Sequence, residues 1–125
     1  AAKAIGKVVP SVNGKLQGHA QRVQVPDGSV TELTTVLNTE TTADEINEAF
    51  KAAFSDTDYY GYNDEGIVSS DILGDTHGGV FDPTQTDVNT IDGVTLARTV
   101  SFYDNEYGFT SNMIRTLLYF AEISE

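Results

Sequence analysis

An Asp-Gly pair, Asp92-Gly93, separates two runs of residues that favour β-strands. Thr86 to Ile91 precede the pair, and Val94 to Tyr103 follow it. Because Asp-Gly readily adopts the positive φ angles of a tight two-residue turn, the two runs are predicted to pair as an antiparallel hairpin. Any fold of this chain therefore has to accommodate a long two-stranded ribbon.

A second antiparallel hairpin is predicted between residues 21 and 37. Gln21 to Val25 alternate polar and apolar residues as a half-buried strand does, so Arg22 and Gln24 would share one face. Pro26-Asp27-Gly28 has turn chemistry, and Val30 to Leu37 is rich in residues that favour strands. Shorter strands are expected at Tyr59 to Tyr62 and at Ile67 to Ile72.

Three helices are predicted beside these strands. Residues 1–9 form a short helix that ends before Pro10. Thr42 and Glu45 have the spacing of a capping box, which starts a helix at residue 43. That helix carries an apolar stripe for docking on a sheet, formed by Ala43, Ile46, Ala49, Phe50, Ala53 and Phe54. A closing helix after Gly108 carries a similar stripe, formed by Met113, Ile114, Leu117, Leu118, Phe120 and Ala121.

Together these segments predict an α+β fold, in which an antiparallel or mixed β-sheet is covered on one face by helices. The chain has 125 residues, a length typical of one domain that spans residues 1–125. The first nine residues read as the middle of a structural element, since no capping residue precedes them. We therefore expect the chain to be cut at its start.

The charge of the chain excludes several classes of partner. Seven Lys and Arg residues stand against 19 Asp and Glu residues, which makes the formal net charge −12. The resulting field repels phosphate backbones and anionic membrane surfaces, so neither nucleic acid nor a membrane is an expected partner. The sequence contains no cysteine, which excludes disulfides and a thiol nucleophile within these residues.

No local cluster predicts a metal site or a reaction centre. His19 and His77 lie in predicted loops, where a solvated histidine is the favoured interpretation. Asp71, Asp75 and Asp82 lie near His77, but one histidine with irregularly spaced carboxylates is a weak signal, and no metal is predicted. The acidic run over residues 56–65 lacks the regular ligand spacing of a calcium loop and is interpreted as a solvated loop.

Two polar residues could bind a ligand. Arg22 is one of few cations in an acidic chain, and its guanidinium can bind a phosphate through two hydrogen bonds, although a plain surface arginine is the commoner role. Asn105 lies in the segment that links the last long strand to the closing helix, where polar groups often face ligands. Capping or turn formation is the alternative role for Asn105.

Several motifs in collinear order identify a family resemblance. Over its whole length the chain resembles the C-terminal part of phosphorylating glyceraldehyde-3-phosphate dehydrogenases. The segments that carry the resemblance are residues 1–10, Gly14-Lys15-Leu16, Arg22-Val23, Val25-Pro26-Asp27-Gly28-Ser29-Val30, Val68-Ser69-Ser70-Asp71-Ile72 and Tyr103-Asp104-Asn105-Glu106.

The resemblance implies a glycolytic, cytoplasmic oxidoreductase that is usually a homotetramer. Such enzymes oxidise a phosphorylated aldehyde with NAD and inorganic phosphate, and glyceraldehyde 3-phosphate thereby gives 1,3-bisphosphoglycerate and NADH. A related four-carbon sugar-phosphate aldehyde is an alternative substrate. The catalytic cysteine, the catalytic histidine and the NAD-binding domain belong to an amino-terminal portion, so that portion is an implied partner and the chain alone is expected to be inactive.

The resemblance also implies roles for individual residues. Arg22 matches the arginine that binds the phosphate of the substrate, and Asn105 matches the asparagine that hydrogen-bonds the nicotinamide carboxamide. Glu106 is expected to brace the same loop. This sequence departs from the family at Phe102 and Phe109, which replace a tryptophan and a tyrosine, and at Gly78-Gly79, which replace serines and should loosen that turn.

One function from a different class remains an alternative. Proteins of this family also occur on microbial surfaces, where they contact host proteins. The abrupt start and the acidic surface would suit a surface-exposed host-protein-binding or antigen module, located at the cell surface as well as in the cytoplasm.

Overall fold

In a computed structural model, which describes residues 2–124 and the side chains of residues 4–124, four strands form one mixed sheet. The strand order is β1-β4-β3-β2; β1 and β3 both pair antiparallel with β4, and β2 pairs parallel with β3. The strands are β1 (Ser29–Leu37), β2 (Gly61–Tyr62), β3 (Val80–Ile91) and β4 (Val94–Tyr103). The helices are α1 (Ala2–Val8), α2 (Ala43–Phe54) and α3 (Tyr107–Glu122), with short 3-10 turns at Pro10–Val12 and Ser69–Ile72. The predicted α+β class with a mixed sheet is confirmed.

The hairpin around Asp92-Gly93 forms as predicted. Asp92 has φ 51° and Gly93 has φ 79°, which are the positive angles that a tight turn requires. Its first strand, β3, is longer than predicted because it continues back to Val80 through an irregularity between Asp82 and Asp87. The buried Asp82 carboxylate accepts hydrogen bonds from the amide and hydroxyl of Thr84 and from Gln85 Nε2, and these bonds stabilise the interruption.

The hairpin predicted over residues 21–37 does not form. β1 pairs with β4 along its whole length, from Ser29 opposite Tyr103 to Leu37 opposite Thr95. Gln21 to Val25 are irregular and exposed, so Arg22 and Gln24 do not lie on a strand. A nine-residue ladder with the central strand offers more hydrogen bonds than a five-residue pairing next to Pro26, so the distant partner is favoured.

The segment predicted as a strand at Ile67 to Ile72 is instead a 3-10 turn. The Asp71 carboxylate accepts a hydrogen bond from the Val68 amide at 2.8 Å and holds the turn at its start. The turn delivers Ile72 into a buried cluster on one face of the sheet, with Val80, Val100 and Phe102. The strand predicted at Tyr59 to Tyr62 covers only Gly61–Tyr62.

Helix α2 begins as predicted and packs on the opposite face of the sheet. Thr42 and Glu45 form the expected capping box, and the Thr42 hydroxyl accepts from the Glu45 amide at 3.2 Å. Phe50 stacks on the buried Phe81 with ring centroids 4.1 Å apart. The two faces of the sheet are therefore covered by different segments, α2 on one and the 3-10 turn on the other.

Helix α3 forms where predicted, but its apolar stripe is exposed. Leu117 is 61% exposed, and Met113, Ile114, Leu118 and Phe120 are also exposed. The helix is held through Arg115, whose Nη1 donates to the Thr76 carbonyl at 2.7 Å. None of the helices within residues 2–124 has the length and apolar composition that crossing a bilayer requires.

Candidate functional site

A buried carboxylate organises the end of β4. Asp104 is 2% exposed; its Oδ1 accepts hydrogen bonds from the amides of Glu106 and Tyr107, and its Oδ2 accepts from the amide of Gly74, each at 2.8 Å. These backbone donors, Gly74 foremost, lower the pKa of the Asp104 carboxyl below its ordinary value although burial opposes the shift. Asp104 thus joins the end of β4, the start of α3 and the loop after the 3-10 turn.

Asn105 lies on the turn that Asp104 holds. Its side chain is exposed, and its Oδ1 accepts a hydrogen bond from the Ser29 hydroxyl at 3.0 Å. Among residues 4–124, nothing accepts a hydrogen bond from Asn105 Nδ2. The amide is therefore anchored by its oxygen while both of its N–H donors remain available to a ligand.

A tight turn leads into Ser29. Gly28 has φ +86°, and its amide donates to the Asp27 carboxylate at 2.7 Å. A Cβ at position 28 would lie 2.8 Å from the Ser69 carbonyl oxygen, so the turn packs directly on the 3-10 segment. This turn fixes where Ser29 enters the sheet, beside Tyr103 and one residue from Asp104.

Arg22 lies seven residues ahead of Ser29 in the exposed segment. Among the side chains of residues 4–124, none forms an ion pair or hydrogen bond with its guanidinium, whereas Arg98 pairs with Glu32 at 3.8 Å and Arg115 binds Thr76. The structure shows no contact between Arg22 and Asn105. The irregular segment that carries Arg22 continues into β1, whose first residue, Ser29, donates a hydrogen bond to Asn105.

Two open grooves in the described part of the chain run along α3, and neither is lined by Arg22 or Asn105. One is lined mostly by apolar side chains, including Phe109, Met113 and Leu117. The other runs between α3 and residues 56–59. Phe109 is 71% exposed, whereas Phe102 is buried in the core of the sheet.

Glu106 does not brace the turn as predicted. Among residues 4–124 nothing hydrogen-bonds its side chain; its backbone contributes instead, since its amide donates to Asp104 and its carbonyl accepts from the Thr110 amide. The side chain that braces the turn is therefore the carboxylate of Asp104. A local signal existed for this role, since an Asp shortly before a helix is a typical acceptor for first-turn amides.

His19 is exposed in a loop as predicted, but His77 is only half-exposed. His77 Nδ1 lies 2.8 Å from Asp75 Oδ1, which also accepts from the His77 amide. The Asp-x-His spacing could have revealed this pair. Within the described residues, no three His, Cys, Asp or Glu side chains come close enough to hold a metal ion.

The turn at the Gly78-Gly79 pair packs closely against α3, and its predicted looseness stays a prediction. The Gly78 amide donates to the Tyr59 carbonyl at 2.7 Å, and a Cβ at position 78 would collide with Asn112 Nδ2 on α3. On the other side of the contact, a Cβ at Gly108 would collide with the His77 carbonyl oxygen. Gly78 and Gly108 therefore allow close packing between the loop and α3.

Comparison with known proteins identifies the family of the chain. The family model described as glyceraldehyde 3-phosphate dehydrogenase, C-terminal domain, matches residues 1–105, a range that includes both Arg22 and Asn105. A glyceraldehyde-3-phosphate dehydrogenase of Streptococcus pyogenes is 54% identical over 125 residues, all of this chain and 37% of the relative. One from Lactobacillus delbrueckii subsp. bulgaricus is 56% identical over 123 residues, 98% of this chain and 36% of the relative. The chain therefore spans little more than a third of the length of these curated relatives.

Proposed function

Because the chain belongs to the family of the glyceraldehyde 3-phosphate dehydrogenase C-terminal domain, we propose that residues 1–125 supply the C-terminal portion of one catalytic domain of such an enzyme. The reaction is the oxidation of glyceraldehyde 3-phosphate with NAD and inorganic phosphate to 1,3-bisphosphoglycerate and NADH. The observation that carries the proposal is the Ser29–Asn105 hydrogen bond, which connects the segment after Arg22 to the turn that presents Asn105.

Arg22 binds the phosphate group of the aldehyde in this proposal. Its guanidinium is exposed and has no partner among the side chains of residues 4–124, so no existing ion pair has to break when an anion binds. A guanidinium offers two parallel N–H donors to a phosphate, which fixes the orientation of the bound group as well as its position. In a chain of net charge −12, such a cation also offsets the repulsion of an anionic substrate.

Asn105 binds the carboxamide of the nicotinamide ring. The free Nδ2 donors fit the carbonyl oxygen of that group, and the carboxylate of Asp104 holds the backbone on either side of Asn105. NAD, when bound, supplies the acceptor for the hydride of the aldehyde. A fixed hydrogen bond to the carboxamide selects which face of the ring meets the substrate.

The chemistry at the aldehyde carbon requires residues from elsewhere. The 125 residues contain no cysteine, so they supply no thiol for a covalent intermediate. The nucleophile, its histidine base and the main NAD-binding surface come from the amino-terminal portion that the relatives carry. The homotetrameric state and the cytoplasmic location implied by the resemblance belong to the same proposal.

A chimeric enzyme tests this function. We define it as the Streptococcus pyogenes relative in which the matching segment is replaced by residues 1–125. The chimera should form NADH from glyceraldehyde 3-phosphate in a phosphate-dependent manner, and faster than from the four-carbon aldehyde erythrose 4-phosphate. Residues 1–125 alone should form none. Failure of the chimera to oxidise either aldehyde, while it binds NAD and assembles like the unmodified relative, would contradict the proposal.

A further inference from the structure

The orientation of the Asn105 amide is set from one side only. Its Oδ1 is occupied by the Ser29 hydroxyl at 3.0 Å, while Nδ2 has no acceptor among residues 4–124. An asparagine amide that is free to rotate by 180° can present either a donor or an acceptor to a ligand. In the structure the Ser29 hydroxyl donates to Oδ1, and in this orientation the amide presents its Nδ2 donors to a ligand.

Both partners of this hydrogen bond rest on fixed backbone. Ser29 is the first residue of β1 and pairs with Tyr103. The turn that precedes Ser29 packs at Gly28 against the Ser69 carbonyl oxygen. Asn105 lies between Asp104 and Glu106, and the Asp104 carboxylate accepts hydrogen bonds from the amides that follow. A change at Ser29 that removes only the hydroxyl should therefore free the amide without moving the backbone.

We infer that Ser29 is a positioning residue, which holds the Asn105 amide with Nδ2 toward the cofactor and so makes the site specific for a ring substituent that accepts a hydrogen bond at this point. The inference rests on the proposed function, because it takes the nicotinamide carboxamide as the ligand group. In a carboxamide the acceptor is the carbonyl oxygen, so Asn105 binds the oxygen and leaves the carboxamide NH₂ to other partners. Ser29 itself contacts neither substrate nor cofactor.

The test compares ligands with and without the nicotinamide ring. Calorimetry on the chimera measures the Kd of NAD and of ADP-ribose, which lacks the ring. Ser29→Ala should weaken NAD binding by about three- to tenfold, the effect of one lost hydrogen bond, and leave ADP-ribose binding unchanged. Ser29→Thr keeps the hydroxyl and suits a strand position, so it should restore the affinity for NAD.

A second ligand reports the direction of the hydrogen bond. Thionicotinamide adenine dinucleotide replaces the carbonyl oxygen by sulfur, a much weaker acceptor. The chimera with Ser29 intact should bind this analogue several-fold more weakly than NAD, and Ser29→Ala should reduce the difference because the freed amide can present its own oxygen to the NH₂ group. This comparison in the chimera with Ser29 intact needs no variant, so it applies even if Ser29→Ala does not fold.

Three outcomes would overturn the inference. Ser29→Ala could bind NAD as tightly as the chimera with Ser29 intact, it could lose NAD and ADP-ribose affinity equally, or that chimera could fail to distinguish oxygen from sulfur. These results would leave the proposed function standing. NAD that binds no more tightly than ADP-ribose in the chimera with Ser29 intact would remove the nicotinamide contact and with it this inference, whereas the proposed function fails only if the chimera forms no NADH.

Discussion

The carboxylate of Asp104 accepts a hydrogen bond from the amide of Gly74, thirty residues earlier in the chain, at 2.8 Å. The same carboxylate accepts from the amides of Glu106 and Tyr107, at the start of α3. One buried side chain therefore determines how the loop after the 3-10 turn meets the turn that carries Asn105. Asp104 therefore links the stability of this region to the position of Asn105.

Replacement of Asp104 by asparagine should destabilise the chain by about 1–3 kcal/mol at pH 7, since an amide NH₂ cannot accept from the backbone donors that one carboxylate oxygen now binds. The pKa of Asp104 is lowered from 3.8 in the folded chain. Its contribution to stability is therefore present above pH 3.8 and is lost as the pH falls through the lowered pKa. Urea unfolding of the 125-residue chain and of Asp104→Asn at several pH values checks this. A difference between the two proteins that does not shrink below pH 3.8 would contradict the account.

Arg22→Ala in the chimera should raise the KM for the phosphorylated aldehyde and lower kcat/KM by about 10- to 100-fold, equivalent to about 1.5–3 kcal/mol for a charge-assisted pair. The Kd of NAD should not change. Steady-state kinetics measure the first effect and calorimetry the second. Arg98→Ala is the matched control, because Arg98 pairs with Glu32 and has no proposed ligand. Equal losses in both variants would assign Arg22 a general electrostatic role only.

Asn105→Ala should weaken NAD binding more than it affects the KM for inorganic phosphate. The reason is that Asn105 offers its Nδ2 donors to the cofactor alone in the proposed arrangement. Glu106→Ala serves as the control in the same turn, since nothing among residues 4–124 hydrogen-bonds its side chain. A Glu106→Ala variant that loses as much NAD affinity as Asn105→Ala would show that the turn matters and the amide does not.

Gly108→Ala should destabilise the chain by about 1–3 kcal/mol, because the new Cβ collides with the His77 carbonyl oxygen, a backbone atom. This cost exceeds the gain of less than about 1 kcal/mol that alanine brings to a helix. Gly79→Ala is the control: the nearest atom to its Cβ is the Phe102 carbonyl oxygen at 3.9 Å, and the expected change lies within about 0.5 kcal/mol. Urea unfolding compares the two. Equal stability of both variants would refute the close approach of α3 to the loop.

Local signals sufficed for some of the fold. The Asp92-Gly93 turn and the Thr42–Glu45 capping box depend on residues close in sequence, so the hairpin and α2 could be predicted. The partner of β1 could not, because the choice between residues 21–25 and β4 is decided by long-range pairing. The 3-10 turn at Ser69–Ile72 could not be predicted either, since the β-branched residues at the ends of the segment, Ile67, Val68 and Ile72, fit a strand as well as a turn.

In the candidate site too, some features could be predicted from the sequence and others depend on long-range contacts. Residue type and family resemblance predict ligand-binding roles for Arg22 and Asn105, and these roles stay proposals. The supports of Asn105 were not foreseeable, because Ser29 and Gly74 are brought to Asn105 and Asp104 only by the pairing of β1 with β4 and by the path of the 3-10 segment. A serine at the start of a strand carries no sequence signal of its own.

A crystal structure of the chimera with NAD and phosphate bound tests most directly whether Arg22 and Asn105 serve one site. The account predicts phosphate oxygens at about 2.7–2.9 Å from the Arg22 guanidinium nitrogens, and the carboxamide oxygen within hydrogen-bond distance of Asn105 Nδ2. Phosphate bound away from Arg22, together with a nicotinamide ring that does not reach Asn105, would contradict it.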